Sequence, residues 1–234
     1  MEDLPGWDGP LPEPDVRMAA EMRSILARPK CQYDGPLYLM YRDLAKDESE
    51  RDWLASHNIR FDITHIPSRT LCSEYVKTKG HYHPVNAAGV GYPEVYEVLA
   101  GVALYLLQRR DLSDVVVIPA RAGARIVIPP GYGHVTINSG DHSLVMANLV
   151  SSAFTSQYAE YEELCGAAYY AWDDGRYTKN PAYPPNTPLV RTIRADQTAR
   201  SDLLCPLPLI EMVRTREVPL FLNRPEEFIS HFLL

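Results

Sequence analysis

Between Arg60 and Val150 the chain is cut into short runs rich in Val, Ile and Tyr, with Gly, Pro, Asn or Asp between them. The runs are Arg60–Ile66, Leu71–Lys77, Val95–Leu99, Val102–Gln108, Val115–Ile118, Arg125–Ile128, His134–Ile137 and Leu144–Val150. Each has the length of a strand, and no stretch with helical periodicity separates them. Segments of this kind bury their apolar faces by pairing antiparallel in a sandwich or barrel. Breaks at Ala100-Gly101 and Ser139-Gly140-Asp141 read as hairpin turns.

The flanks differ in character. Residues 1–14 hold four prolines and read as an extended arm. From Asp15 to about Ala27, Met18, Met22, Ile25 and Leu26 follow helical spacing behind an Asp suited to an N-cap. Pro36–Tyr41 reads as a strand, with Tyr38 on the opposite face from Leu39 and Tyr41. A charge-rich helix is expected over about Lys46 to Ser56. Beyond Glu160 the pattern weakens, residues 180–188 form a Pro-rich connector, and the last ~30 residues are apolar but irregular. That apolar content (Leu203, Leu204, Leu207, Leu209, Ile210, Val218, Leu220, Phe221, Leu222, Phe228, Ile229) is too high for a disordered tail. It predicts packing on the outside of the barrel or across a dimer partner. The expected organisation is an N-terminal arm and helix over 1–34, a barrel over 35–160 and a C-terminal extension over 161–234.

Charge narrows the function classes. Lys and Arg number 23 against 30 Asp and Glu, a net charge of −7 with no basic block, which argues against nucleic acid and anionic membrane surfaces as partners. No stretch approaches the ~20 apolar residues of a membrane helix. The acidic start, MEDLPGWDGP, is unlike a secretory leader, so a cytoplasmic location is expected. Cys31, Cys72, Cys165 and Cys205 lie far apart, which excludes a Cys-based zinc ribbon or a CxxC redox site and predicts reduced thiols.

The histidines carry the chemistry. His81 and His83 stand two apart, so on a strand both imidazoles project to one side. Glu94 opens the run Glu94–Gly101, and His134 follows Pro129-Pro-Gly-Tyr-Gly. Three neutral imidazoles and a carboxylate suit a divalent first-row ion with room left for water or substrate. Glu97, the other carboxylate on that strand, lies on the opposite face from Glu94.

Gly123, Pro129, Gly131, His134 and Asn138 match the second motif of the cupin superfamily, and His81, His83, Glu94 and Gly101 resemble the first. The first motif departs in two places. Tyr75 stands where the leading glycine falls, and ten residues rather than three or four separate His83 from Glu94. Loop lengthening of that kind costs little. The resemblance implies an all-β fold, a cupin jelly-roll β-barrel with an N-terminal helical segment and a C-terminal extension.

Thr78-Lys-Gly-His-Tyr-His83, Glu94-Val-Tyr96, Leu106-Leu-Gln108 and Pro129–Asn138 together resemble cupin-type glucose-6-phosphate isomerase, over roughly residues 35–160. The resemblance implies a homodimer with one divalent metal per subunit, iron first and manganese, nickel or zinc as alternatives. It implies His81, His83, Glu94 and His134 as ligands, and interconversion of glucose 6-phosphate and fructose 6-phosphate. That reaction moves a hydrogen between C1 and C2, either as a proton through an enediol, with Glu94 as the best-placed catalytic base, or as a hydride between the two carbons, and sequence leaves both routes open. Thr64, Thr78 and the Gly80 backbone fall at the family's phosphate positions, Tyr38 and Tyr96 along its sugar site and Tyr158 near the far wall. Val150 and Ser156 stand where the family carries a phosphate-binding tyrosine and a histidine near the sugar. Two other readings use the same four ligands or their remnants: an iron-dependent cupin dioxygenase, and a non-catalytic sugar-binding cupin.

Overall fold

The computed structural model describes residues 4–203 and 206–234; Met1–Asp3, Leu204 and Cys205 lie outside the described residues. In chain order its elements are β1 (Asp15–Met18), α1 (Ala19–Met22), β2 (Pro36–Tyr41), α2 (Glu48–Ser56), β3 (Ile59–Ile66), β4 (Thr70–Leu71), β5 (Glu74–Tyr75) and β6 (Glu94–Ala100). They continue with β7 (Val102–Arg109), β8 (Val115–Arg121), β9 (Arg125–Ile128), β10 (Tyr132–Asn138), β11 (Leu144–Ser151) and α3 (Ala159–Glu163). The last are β12 (Tyr169–Ala171), β13 (Tyr177–Lys179), β14 (Arg191–Thr192) and α4 (Leu209–Arg214).

Two sheets face each other: a six-stranded one in the order β1-β2-β3-β11-β6-β9 and a four-stranded one in the order β10-β7-β8-β14. This is a jelly-roll barrel. Both strand faces are buried, which is why β11 reads as an unbroken buried run rather than an alternation. Inward residues such as Tyr96, Val98, Tyr105, Leu107, Ile118 and Met146 fill the barrel. Outward residues of the six-stranded sheet (Phe61, Val95, Val127, Ala147, Leu149) pack against Leu209, Met212, Val213, Phe221 and Leu222. The four-stranded sheet's outer face (Leu106, Val117, Val135, Ile137) packs against Tyr161, Ala168, Tyr169 and Tyr183. The C-terminal residues thus cover the barrel of their own chain.

Several expectations need correction. The helix read from Asp15 is instead a strand followed by a short helix, because Asp15–Arg17 pair antiparallel with Tyr38–Met40 and sheet hydrogen bonding overrides a weak helical preference. Asp15 binds the Arg42 guanidinium at 2.9 Å instead of capping a helix. Met22 and Ile25 are nevertheless buried in the barrel core. The second helix begins two residues later than read, with Asp47 as its cap, accepting from the Glu50 amide at 2.8 Å. The run Leu71–Lys77 is broken into β4 and β5 by Cys72 and Ser73, both at positive φ. The breaks at residues 100–101 and 139–141 are corners where the chain passes from one sheet to the other, since β6 and β7, like β10 and β11, belong to different sheets. Cys31 and Cys72 are disulfide-bonded, which 41 residues of separation concealed, while Cys165 is free and exposed. Strands β1 and β14, outside 35–160, extend both sheets.

Candidate metal centre

Glu94, at the start of β6, projects into the barrel with Tyr96 two residues on, while Glu97 faces outward and accepts a hydrogen bond from the Leu209 amide at 2.6 Å. His134 lies inward on β10, and its backbone pairs with that of His81 on the segment before β6 (His134 amide to His81 carbonyl, 3.1 Å). The His-Tyr-His segment is irregular rather than a regular strand, yet this pairing still directs both imidazoles inward. Gly80 sits before it at φ +79°, where an added Cβ would lie 2.6 Å from both Tyr161 and Val135. Glycine is required there for backbone conformation and for space.

The ligating atoms of His81, His83, Glu94 and His134 all lie within 4.8 Å of one another. The Nε2 atoms of His81 and His83 are 3.1 Å apart, and Glu94 Oε2 is 3.4 Å from His83 Nε2 and 3.3 Å from His134 Nε2. His83 Nδ1 lies 2.8 Å from the Tyr92 carbonyl, a contact that requires Nδ1–H and leaves the Nε2 lone pair facing the cluster. Asn148 donates to Glu94 Oε1 at 2.8 Å, fixing the carboxylate, while Oε2 is buried without a hydrogen-bond partner. An orphaned buried carboxylate oxygen among converging imidazole nitrogens fits a bound cation. The quartet could hold a metal ion.

Electrostatics agree. Burial, reinforced by His134 and His83, holds the His81 imidazole well below its usual range. Burial also lowers His134 to about 4, against the pull of Glu94. Burial pushes the Glu94 carboxyl up, but the close His83 and His134 imidazoles outweigh it and keep the group below its ordinary value. Two of the three imidazoles are therefore neutral and the carboxylate charged at neutral pH, as metal ligation requires.

The quartet opens into a cavity of about 240 Å³. Tyr38, Thr64, Thr78, Gly80, Tyr96 and Tyr158, the expected substrate contacts, all line it. The Tyr96 hydroxyl is 3.0 Å from His134 Nε2, and the Tyr158 ring lies 5.4 Å from that of His81. The Lys79 amide donates to the Tyr38 hydroxyl at 3.2 Å, and the Thr136 amide to Thr78 Oγ1 at 2.9 Å. Sequence reading missed Arg42, Arg60, Asp62, Asn148 and Phe154, which also line the cavity. A signal existed for two of them: Arg60, Asp62 and Thr64 alternate with apolar Phe61 and Ile63, the pattern of a polar inward face. Asp62 is buried and accepts from Arg60 Nε at 2.8 and 3.0 Å, from the Asp43 amide at 3.0 Å and, at 3.4 Å, from Arg42 Nη1. Burial pushes its carboxyl up, opposed by the two guanidiniums.

A jelly-roll barrel with three histidines and a glutamate converging inside it defines a cupin whose quartet could hold a metal ion. The glucose-6-phosphate isomerase (GPI) family model matches residues 16–187, and the chain belongs to that family. It is 26% identical over 152 residues to glucose-6-phosphate isomerase of Thermococcus gammatolerans (63% of this chain, 75% of that one). Against the enzymes of Thermococcus onnurineus and Thermococcus litoralis the identities are 25% over 125 residues and 28% over 130, and the chain spans 61% and 62% of their lengths. Among solved structures, oxalate decarboxylase of Bacillus subtilis resembles it at 18% identity and a TM-score of 0.39, covering 51% of this chain and 27% of that one, too distant to bear on chemistry.

Proposed function

We propose that this chain is a metal-dependent aldose–ketose isomerase interconverting glucose 6-phosphate and fructose 6-phosphate. The reading is carried by one observation: His81, His83, Glu94 and His134 converge at the wall of a sugar-sized cavity in a chain of the isomerase family. These four residues would hold a divalent ion, iron first, which when bound supplies Lewis-acid polarisation of the sugar carbonyl.

The remaining work belongs to the chain's own residues. Glu94 is the base: with Oε1 held by Asn148, Oε2 would act once it is released from its role as a ligand, taking a proton from one of the two reacting carbons and returning it to the other. Its depressed pKa keeps it ionised for that role. Tyr96, raised well above its usual range by burial, stays protonated and can donate a hydrogen bond to sugar oxygens. Thr64, Thr78 and the Gly80 amide offer donors to the phosphate, and Tyr38 and Tyr158 form the side walls. Cytoplasmic location and a homodimeric state belong to the same reading. Among the described residues no helix is long and apolar enough to cross a membrane.

The test is to add fructose 6-phosphate to iron-loaded protein under nitrogen. Glucose 6-phosphate should appear, and in the reverse direction glucose 6-phosphate deuterated at C2 should lose label to solvent. Absence of product, with oxygen uptake in air, makes the protein an oxygenase instead. Turnover with full retention of deuterium removes Glu94 as the base.

A further inference from the structure

The hydroxyls and amide assigned above to the phosphate carry no charge, and burying a dianion against neutral donors alone is costly. Arg42, Arg60 and Lys79 are the Lys and Arg side chains that line the cavity among the described residues. Lys79 is committed elsewhere, its ammonium paired with Glu162 and lying over the Tyr158 ring. Arg60 differs: only its Nε is engaged, by Asp62, and its two terminal nitrogens have no hydrogen-bond partner among the described residues. Arg42 is bound by Asp15 through Nε, but its Nη1 reaches Asp62 only at 3.4 Å and its Nη2 meets the Met40 sulfur, a weak acceptor.

Strand register explains how the two cations meet one cavity. Arg60, on β3, stands opposite Val150 on β11, and Val150 stands opposite Glu94 on β6. Residues directly opposed across antiparallel strands share a face, so Arg60 and Glu94 belong to one row of the inner wall with only Val150 between them. Asp62 lies one row further, in line with Asn148 and Tyr96. Its carboxylate is buried and gathers both guanidiniums, which turns flexible side chains into a fixed fork.

We propose that Arg60 and Arg42, aligned by the Asp62 carboxylate as a positioning residue, form the anion-binding wall of this cavity and take the phosphate of the sugar substrate. The proposal rests on the sugar-phosphate reading and sharpens it, since the guanidinium fork matches phosphate oxygens in charge and shape. It also accounts for Val150: a short apolar side chain leaves room between Arg60 and Glu94 for the ligand.

The test is calorimetric titration of inorganic phosphate into metal-loaded wild type and the Arg60→Gln, Arg60→Lys, Arg42→Gln and Asp62→Asn variants, with steady-state kinetics on fructose 6-phosphate. Arg60→Gln should weaken phosphate binding about tenfold or more, with Arg60→Lys recovering part of the loss. KM for fructose 6-phosphate should rise in parallel while kcat stays within about threefold, the split expected of a binding contact. Should Arg60→Gln not fold, Arg42→Gln and Asp62→Asn carry the test, each weakening binding several-fold. Phosphate affinity equal to wild type in the folded variants, or no phosphate binding by wild type, overturns the proposal. A protein that binds phosphate in an Arg60-dependent way but converts no hexose phosphate overturns the isomerase reading and leaves the anion wall standing.

Discussion

At the level of single residues, the ligand quartet sets the sharpest expectations. His134→Ala removes one imidazole nitrogen from beside Glu94 Oε2, so metal affinity should fall by more than the roughly 10–100-fold that loss of an outer-shell partner costs, with activity following; full metal retention by elemental analysis after dialysis removes His134 from the ligand set. The pH dependence has a defined sign in metal-free protein. His134 titrates at about 4 when folded and near 6.5 otherwise, so on acidification the unfolded chain takes up its proton first. Stability is therefore intact above about pH 6.5 and declines as pH falls toward about 4. Urea midpoints flat across that window contradict this. The quartet was legible because its members sit in short motifs: His81 and His83 stand two apart, and Glu94 and His134 fall in segments that resemble the two cupin motifs. Arg42, Arg60 and Asp62 were not, because their convergence depends on the registers of β2, β3 and β11, which local spacing does not encode.

Among the elements, the strands of the barrel were readable to within a few residues, since every predicted run except Leu71–Lys77 became one. Interactions distant in sequence were not. Strand β1 forms because β2 offers it an edge, and the disulfide closes a separation of 41 residues. Cys72→Ser should lower stability by about 3–4 kcal/mol through the freed unfolded chain; reductant should produce the same shift in wild type and none in the variant, as read from urea midpoints. Gly80 leads into the His-Tyr-His segment at a backbone angle other residues resist. Gly80→Ala should cost about 1–3 kcal/mol and lower metal affinity as well, because Tyr161 and Val135 block relaxation of the segment. Wild-type metal affinity in that variant means the histidines do not depend on the turn.

For the whole molecule, four layers share the work: two sheets with a filled interior, and a sleeve of later residues on each outer face. Sequence predicted that the C-terminal apolar residues would be covered, but not by which surface, because amphipathic pattern identifies a face and not its partner. Phe221 is 1% exposed and sits in the outer cluster with Phe61 and Leu149. Phe221→Ala should cost about 3–5 kcal/mol, and truncation after residue 198 should yield aggregated or unstable protein. A truncated chain that is soluble, monodisperse and thermally unchanged would show the sleeve to be dispensable.

Strand β6 gives one carboxylate to each side of the barrel wall, Glu94 to the ligand cluster and Glu97 to the Leu209 amide at the start of α4. Only Val95 and Tyr96 separate the two along the strand, so the sleeve and the chemistry are mechanically in series. An ion seated at Glu94 would act as an internal strain gauge. Its electronic spectrum should shift when α4 is peeled away, well before the barrel itself comes apart.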